Sequence, residues 1–186
     1  MIILGSTSPR RKELMQKITS DFKIIAPLFN ENNLSKSTKH YALEESFNKA
    51  KSLLNDINEN DCLICVDTIV YYNKKIYGKP KTINEAKQFL HTLSGVTHEV
   101  ISGYTIVFKN NVIKKEITSY VTFKKLTDEK IDEYVSSIYV LDKAGAYSIQ
   151  DDYKEHIIEK IEGSFDNIVG LPTEEIKKDL EKLGLI

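Results

Sequence analysis

No stretch of this sequence approaches the roughly 20 consecutive apolar residues that cross a bilayer. The opening run Met1-Ile2-Ile3-Leu4 stops at Gly5, without the basic start and long apolar core of a secretory leader. These absences imply a cytoplasmic protein with no membrane partner. Charge of either sign is not in excess either: 26 basic residues face 27 acidic ones, for a net charge of −1. No global field draws the chain to nucleic acid, and the scattered tyrosines form no stacking platform with an interleaved basic stripe. Anion binding therefore has to come from a local cluster.

Cysteine is nearly absent, and the two present, Cys62 and Cys65, stand at C-x-x-C spacing. That spacing serves redox chemistry when a turn enters a helix, and zinc when a second pair exists. Here it falls inside the apolar run Cys62-Leu63-Ile64-Cys65-Val66, which reads as a strand, where residues three apart point to opposite faces. The cysteines are read as structural. Gly-Lys-Ser/Thr of a Walker loop, Gly-x-Gly-x-x-Gly and Gly-x-Ser-x-Gly are all missing, and His40, His91, His98 and His156 lack metal-binding spacing. The histidines are read as structural or surface residues.

What is present is an alternation of strands and helices broken by one hairpin. Strands are expected at Ile2–Leu4, Phe22–Ala26, Leu63–Tyr72 with a short partner ending at Gly78, and near His156–Ile161. Helices are expected over Pro9–Ile18, Tyr41–Leu54, Asn84–Leu93, from Thr127 to about Ser137, and over Glu174–Leu183. Asn30 to Lys39 reads as a polar loop. Glu99–Lys109 and Val112–Lys124 alternate around Asn110-Asn111 and read as a long hairpin. The pattern predicts an α/β fold with a mixed sheet, as one domain over residues 1–186.

Three places carry chemistry. Gly5-Ser6-Thr7-Ser8-Pro9-Arg10-Arg11 is a small-residue loop between a strand and a helix N-terminus, which offers free backbone N–H groups to an anion. Arg10 and Arg11 add bidentate cations and oppose the helix dipole, an arrangement a purely structural helix has no reason to prefer. The same residues are also compatible with a capped surface helix. Asp67, in the apolar run Leu63–Val70, needs a metal, a cation or a task to offset its burial, and would suit a general base. Lys79, between Gly78 and Pro80, is a constrained cation or a solvated turn residue. Lys49 and Glu31 are unremarkable by themselves.

Taken together, these segments resemble the Maf family of nucleoside triphosphate pyrophosphatases. The resemblance runs from Leu4-Gly5-Ser6-Thr7-Ser8-Pro9-Arg10-Arg11 through Asn48-Lys49-Ala50, Val66-Asp67-Thr68, Gly78-Lys79-Pro80 and Leu93-Ser94-Gly95. It continues in Asp142-Lys143-Ala144-Gly145-Ala146-Tyr147-Ser148-Ile149-Gln150, Ile161-Glu162-Gly163 and Val169-Gly170-Leu171-Pro172. It implies a two-lobed fold around a central cleft, related to that of inosine-triphosphate pyrophosphatase. It implies hydrolysis of a nucleoside triphosphate to the monophosphate and pyrophosphate with a divalent cation, Mg²⁺ or Mn²⁺. Asp67 matches the family's proton acceptor, and Arg10, Thr68 and Gln150 match its substrate-selecting positions. Ser6, Ser8, Arg11, Lys49 and Lys79 are expected on phosphate, with Glu31 and Asp67 at the cation. Homodimers and a link to septum formation are also family traits.

An arginine after Ser8-Pro9, and Thr68 after Asp67, look like the subgroup acting on dTTP and UTP. The 7-methyl-GTP subgroup has an aromatic residue and a glutamine there. The chain departs from the family at Ser148, where glycine is usual, at Ile138–Leu141, which lacks Gly-Glu-Pro, and at Gly163–Asp166. A nucleotide-binding regulator without turnover would use the same phosphate pocket.

Overall fold

A computed structural model, describing residues 1–28 and 38–186, contains a seven-stranded mixed sheet. β1 (Ile2–Leu4) is buried throughout and lies between β2 (Phe22–Ile24) and β3 (Cys62–Tyr72), parallel to both. β4 (Lys75–Tyr77) folds back on β3 through Asn73 and Lys74, at φ 47° and 61°. Two left-handed residues in a row give a two-residue hairpin the twist of its strands. β5 (Thr97–Phe108), β6 (Asn111–Phe123) and β7 (Ile158–Glu162) extend the sheet antiparallel, in the order β2-β1-β3-β5-β6-β7.

Seven helices cover it among the described residues: α1 (Pro9–Gln16), α2 (Tyr41–Leu53), α3 (Ile83–Leu93), α4 (Asp128–Ser137), α5 (Lys154–Ile157), α6 (Phe165–Val169) and α7 (Thr173–Lys182). None is long and apolar enough to cross a membrane. The alternation of β3 sorts them. Cys62, Ile64 and Val66 pack with Leu14 and Met15 of α1 and with Ile176 and Leu180 of α7. Leu63 and Cys65 turn the other way, onto Ala50 and Leu53 of α2. The two cysteines thus belong to different faces, both are free thiols, and burial pushes each up to about 12. A third buried cluster joins α3 and α4 to Val70, Val100, Val121 and Phe123.

Two details of this sheet position everything that follows. β1 pairs with β3 only as far as Ile64, and β4 pairs with it only from Val70 onward. Between them, among the described residues, no strand covers that edge of β3, so residues 65–69 border a gap in the sheet. On the opposite edge Asp67 pairs with Gly103 of β5. A Cβ on Gly103 would lie 2.2 Å from the Leu43 backbone nitrogen. The first turn of α2 therefore rests directly on β5.

Element boundaries differ from the sequence expectation in several places; β2, for one, ends at Ile24 rather than Ala26, and β5 begins at Thr97 rather than Glu99. The long hairpin turns at Lys109-Asn110, not Asn110-Asn111, because Phe108 pairs with Asn111 and Lys109 takes the left-handed φ of 51°. His156 lies in the short helix α5, and the strand begins only at Ile158. α6, capped by Ser164, is a helix where the sequence pattern predicts no element. α1 ends at Gln16 rather than Ile18. Most of the loop expected over 30–39 lies outside the described residues.

Gly103→Ala should lower stability by about 3 kcal/mol, since neither the α2 backbone nor β5 has room for a methyl group. Urea unfolding checks this, and an unchanged midpoint would rule out the close approach.

Candidate active site

Asp67 and Thr68 are consecutive on β3, so their side chains leave opposite faces of the sheet. Both lie at the gap. On the α2 face, the Lys49 ammonium donates to Asp67 Oδ1 at 2.7 Å, with side-chain exposures of 4% and 15%. This is the cation that a carboxylate in a buried strand requires, and it leaves Oδ2 for another partner. One helical turn before Lys49, and on the same side of α2, Glu45 is also buried. Glu45 and Asp67 line a cleft of about 400 Å³ together with Arg11, Lys79 and Lys81.

On the other face, Thr68 Oγ1 lies 2.8 Å from Ser102 Oγ. Arg11 reaches this face from the first turn of α1. Its Nε donates to the Gly170 carbonyl at 2.9 Å, Nη2 to Thr68 Oγ1 at 3.4 Å and Nη1 to Ser6 Oγ at 3.5 Å. Ser8 caps α1, accepting from the Arg11 N–H at 3.5 Å, and Pro9 takes the first helical position. A smaller cleft of about 140 Å³ opens here, with Ser8, Arg10, Thr68, Lys79, Tyr147 and Gln150 among its lining residues. Arg11, Thr68, Lys79 and Ala144 line both spaces, which makes them adjoining halves of one cleft.

Arg10 crosses the mouth of the smaller half. Nη1 meets Asp142 Oδ2 at 3.2 Å and Nη2 meets the Asp142 carbonyl at 3.3 Å, while Lys143 Nζ donates to Asp142 Oδ1 at 2.6 Å. Burial would raise the Asp142 carboxyl, but the two cations outweigh it and hold the group below the ordinary carboxylate range. Behind Tyr147, His98 is buried with Nε2 at 2.8 Å from the Tyr147 hydroxyl, and its ring packs edge-on against Phe123. Burial alone lowers His98 to about 4, so it is a neutral core residue.

For a divalent cation, Glu31 lies outside the described residues. No group of three or more His, Cys, Asp or Glu is arranged to hold a metal ion among the described residues. Asp67 and Glu45 nevertheless present hard carboxylate oxygens to one space, and Mg²⁺ commonly takes one or two protein carboxylates plus substrate phosphate oxygens. The residues fit such an ion.

Residues 1–183 match the family model for Maf-like proteins. The chain belongs to the Maf family. A Maf relative from Lachnoclostridium phytofermentans is 36% identical over 99% of this chain and 95% of its own length, and one from Thermosipho melanesiensis is 42% identical over 94% and 93%. Both are named dTTP/UTP pyrophosphatase. The Ham1 protein of Staphylococcus aureus shares the fold, with a TM-score of 0.50 over 98% of each chain at 14% identity.

In this Maf chain the gap gathers most of the residues singled out from the sequence. Arg10, Thr68 and Gln150 share the smaller half, with Ser8, Arg11 and Lys79 beside them. Two residues stand differently. Lys49, expected on phosphate, donates to Asp67 and is not among the residues lining either half. Ser6 is buried within its loop, accepting from the Ser8 N–H at 3.3 Å. Ser148, where the family has glycine, accepts from the Gln150 N–H at 3.1 Å and so fixes the backbone of that residue.

Glu45 and Asp142 were not foreseen. Helical spacing carried a signal for the first: Tyr41, Ala42, Glu45, Ser46, Lys49, Ala50 and Leu53 form the buried side of α2, and two charges on such a side are informative. No local pattern points to the Asp142–Arg10 pair, whose members are 132 residues apart.

Lys49→Met should cost about 3 kcal/mol by leaving the Asp67 carboxylate without its cation, and adding Asp67→Asn should recover part of that loss. Urea unfolding of the single and double variants measures both, and additive losses would refute the coupling. A second expectation concerns acid. An unfolded histidine takes up a proton near pH 6.5, which folded His98 refuses down to about 4. Stability therefore falls as pH drops through that interval. His98→Gln should flatten this part of the stability–pH curve, and an unchanged slope would contradict it.

Proposed function

We propose that this chain hydrolyses dTTP and UTP to the monophosphate and pyrophosphate. The observation that carries the reading is the back-to-back placement of Asp67 and Thr68 at one gap in the sheet. One face carries the Asp67 carboxylate with Glu45 beside it, the other carries the Thr68 hydroxyl with Gln150 and Arg10, and Arg11 and Lys79 border both. The names of the Maf relatives supply the substrate class.

In this reading Arg11, Lys79 and Lys81 bind the triphosphate, aided by the backbone N–H groups at the start of α1. Asp67 accepts a proton at Oδ2 from the water that attacks the α-phosphorus. Lys49, on Oδ1, keeps the carboxylate aimed. A bond forms from the water oxygen to the α-phosphorus, the bond to the oxygen bridging to the β-phosphorus breaks, and pyrophosphate departs. Asp67 and Glu45, with Glu31 added from the family resemblance, would hold Mg²⁺ or Mn²⁺, which supplies counter-charge to the phosphate oxygens when bound. Arg10 and Gln150 face the base together with Thr68. Such displacement depends mainly on positioning and electrostatics, which suits a site assembled from fixed charges.

The test is pyrophosphate release from dTTP and UTP by the purified chain with Mg²⁺ or Mn²⁺. Turnover should yield one pyrophosphate per monophosphate, and absence of release from both would sink the reading. Asp67→Asn should lower kcat by about a hundredfold or more with little change in KM. If it retains the wild-type kcat, the proton acceptor lies elsewhere.

A further inference from the structure

Thr68 stands where the two halves of the cleft meet, and the direction of its single hydroxyl proton decides what it offers a base. The answer lies one layer deeper. Ser102 is directly opposite Thr68 in the β3–β5 ladder, is wholly buried (0% exposed) and lines neither half of the cleft. Its Oγ lies 3.1 Å from the backbone carbonyl of Asn167. A carbonyl only accepts, so the Ser102 proton points there. Ser102 must then accept across the 2.8 Å contact from Thr68.

The surroundings agree with that polarity. Asn167 is itself fixed, since its Nδ2 donates to Ser119 Oγ at 3.0 Å and to the Val100 carbonyl at 3.2 Å. The Arg11 guanidinium, which can only donate, faces Thr68 Oγ1 at 3.4 Å. The Gly170 carbonyl competes for the Thr68 proton at 3.4 Å, a longer contact, and already receives Arg11 Nε at 2.9 Å. With its proton directed inward, Thr68 has a lone pair left for the cleft.

We propose that Ser102 is a specificity-positioning residue that locks the Thr68 hydroxyl as an acceptor, so that the group recognised against it is an N–H donor. Uracil and thymine carry such a donor, the ring N–H between two carbonyls. Cytosine has an acceptor nitrogen at the same ring position, which would set lone pair against lone pair. The inference rests on the reading that the substrate is a uracil or thymine nucleotide.

The experiment compares kcat/KM for UTP and CTP in the wild type, Ser102→Ala, Thr68→Val and the double variant, with Tm measured for each. Ser102→Ala frees the Thr68 hydroxyl to turn, and should narrow the UTP-to-CTP ratio by roughly tenfold, mostly through the KM for UTP. In the Thr68→Val background the same change should leave the ratio alone, whereas mere loosening of the core would lower both substrates alike. Ser102→Thr, which keeps the hydroxyl, should retain the wild-type ratio. A ratio unmoved by Ser102→Ala, or moved equally in the Thr68→Val background, overturns the proposal. If Ser102→Ala does not fold, the wild type decides with N3-methyl-UTP. Loss of roughly tenfold or more in kcat/KM relative to UTP supports the donor requirement, and equal turnover overturns it. A wild type that releases pyrophosphate from no pyrimidine triphosphate refutes the functional reading itself, while turnover with an unmoved ratio refutes the role of Ser102 alone.

Discussion

The contact between Lys49 and Asp67, closed at 2.7 Å beneath the floor of the cleft, is the interaction on which the site depends. A carboxylate on a central strand and an ammonium on the buried side of a helix are each costly alone. Together they are tolerable, provided that α2 sits close enough to the sheet. Gly103 supplies that closeness, because a side chain there would collide with the α2 backbone. The absence of one Cβ on β5 thus governs the height of a helix, and the height of the helix governs whether a lysine can reach a carboxylate. The pair also orients Asp67, with Oδ1 engaged by the ammonium and Oδ2 turned away from it.

A second constraint is the incomplete edge of β3. Strands normally need neighbours for their N–H and C=O groups, and an uncovered edge is a liability. Here it is confined to residues 65–69, between the end of β1 and the start of β4. The loop after β1 and the residues around Gly170 border the space, and Arg11 ties them together. Its three nitrogens reach Ser6 in the loop, Thr68 on the strand and the Gly170 carbonyl between α6 and α7. A guanidinium suits that post better than an ammonium, because its donors diverge from a rigid plane. The period of two along β3 then divides the labour. Odd-numbered Asp67 meets Lys49 of α2, and even-numbered Thr68 meets Ser102 and the Arg11 guanidinium on the far face.

Much of this was legible because its signals are local. Thr127 with two acidic residues after it marks α4 to the residue, and the apolar run of β3 isolates Asp67 as the one charge within it. Ser8-Pro9 announces α1 for the same reason. The hairpin turn slipped by one residue because Lys109-Asn110 and Asn110-Asn111 are both serviceable turns, and only cross-strand packing selects between them. α6 has five residues, too few for a helical period to declare itself. The family resemblance puts Lys49 on phosphate, and its position on the buried side of α2 also directs it at Asp67 on the sheet. Least legible were the contacts of Thr68, whose partners Ser102 and Gly170 stand 34 and 102 residues away. Serines and threonines on a strand carry no periodicity that reveals a hydrogen-bond chain.

The two faces of β3 also differ in the kind of selectivity they can exert. Fixed cations bind any triphosphate, because charge attraction is indifferent to the base attached to it. Discrimination has to come from groups whose mismatch leaves something buried and unpaired, at a cost of about 1–3 kcal/mol for each polar atom. A hydroxyl in water cannot impose that cost, since it rotates to donate or accept as the ligand demands. Burying its proton in a chain that ends on a fixed backbone carbonyl removes the choice. The route from Thr68 through Ser102 to Asn167 has that character, with every member held by the sheet or by α6. Selectivity at a shallow cleft is then set from the core, by residues that no substrate touches.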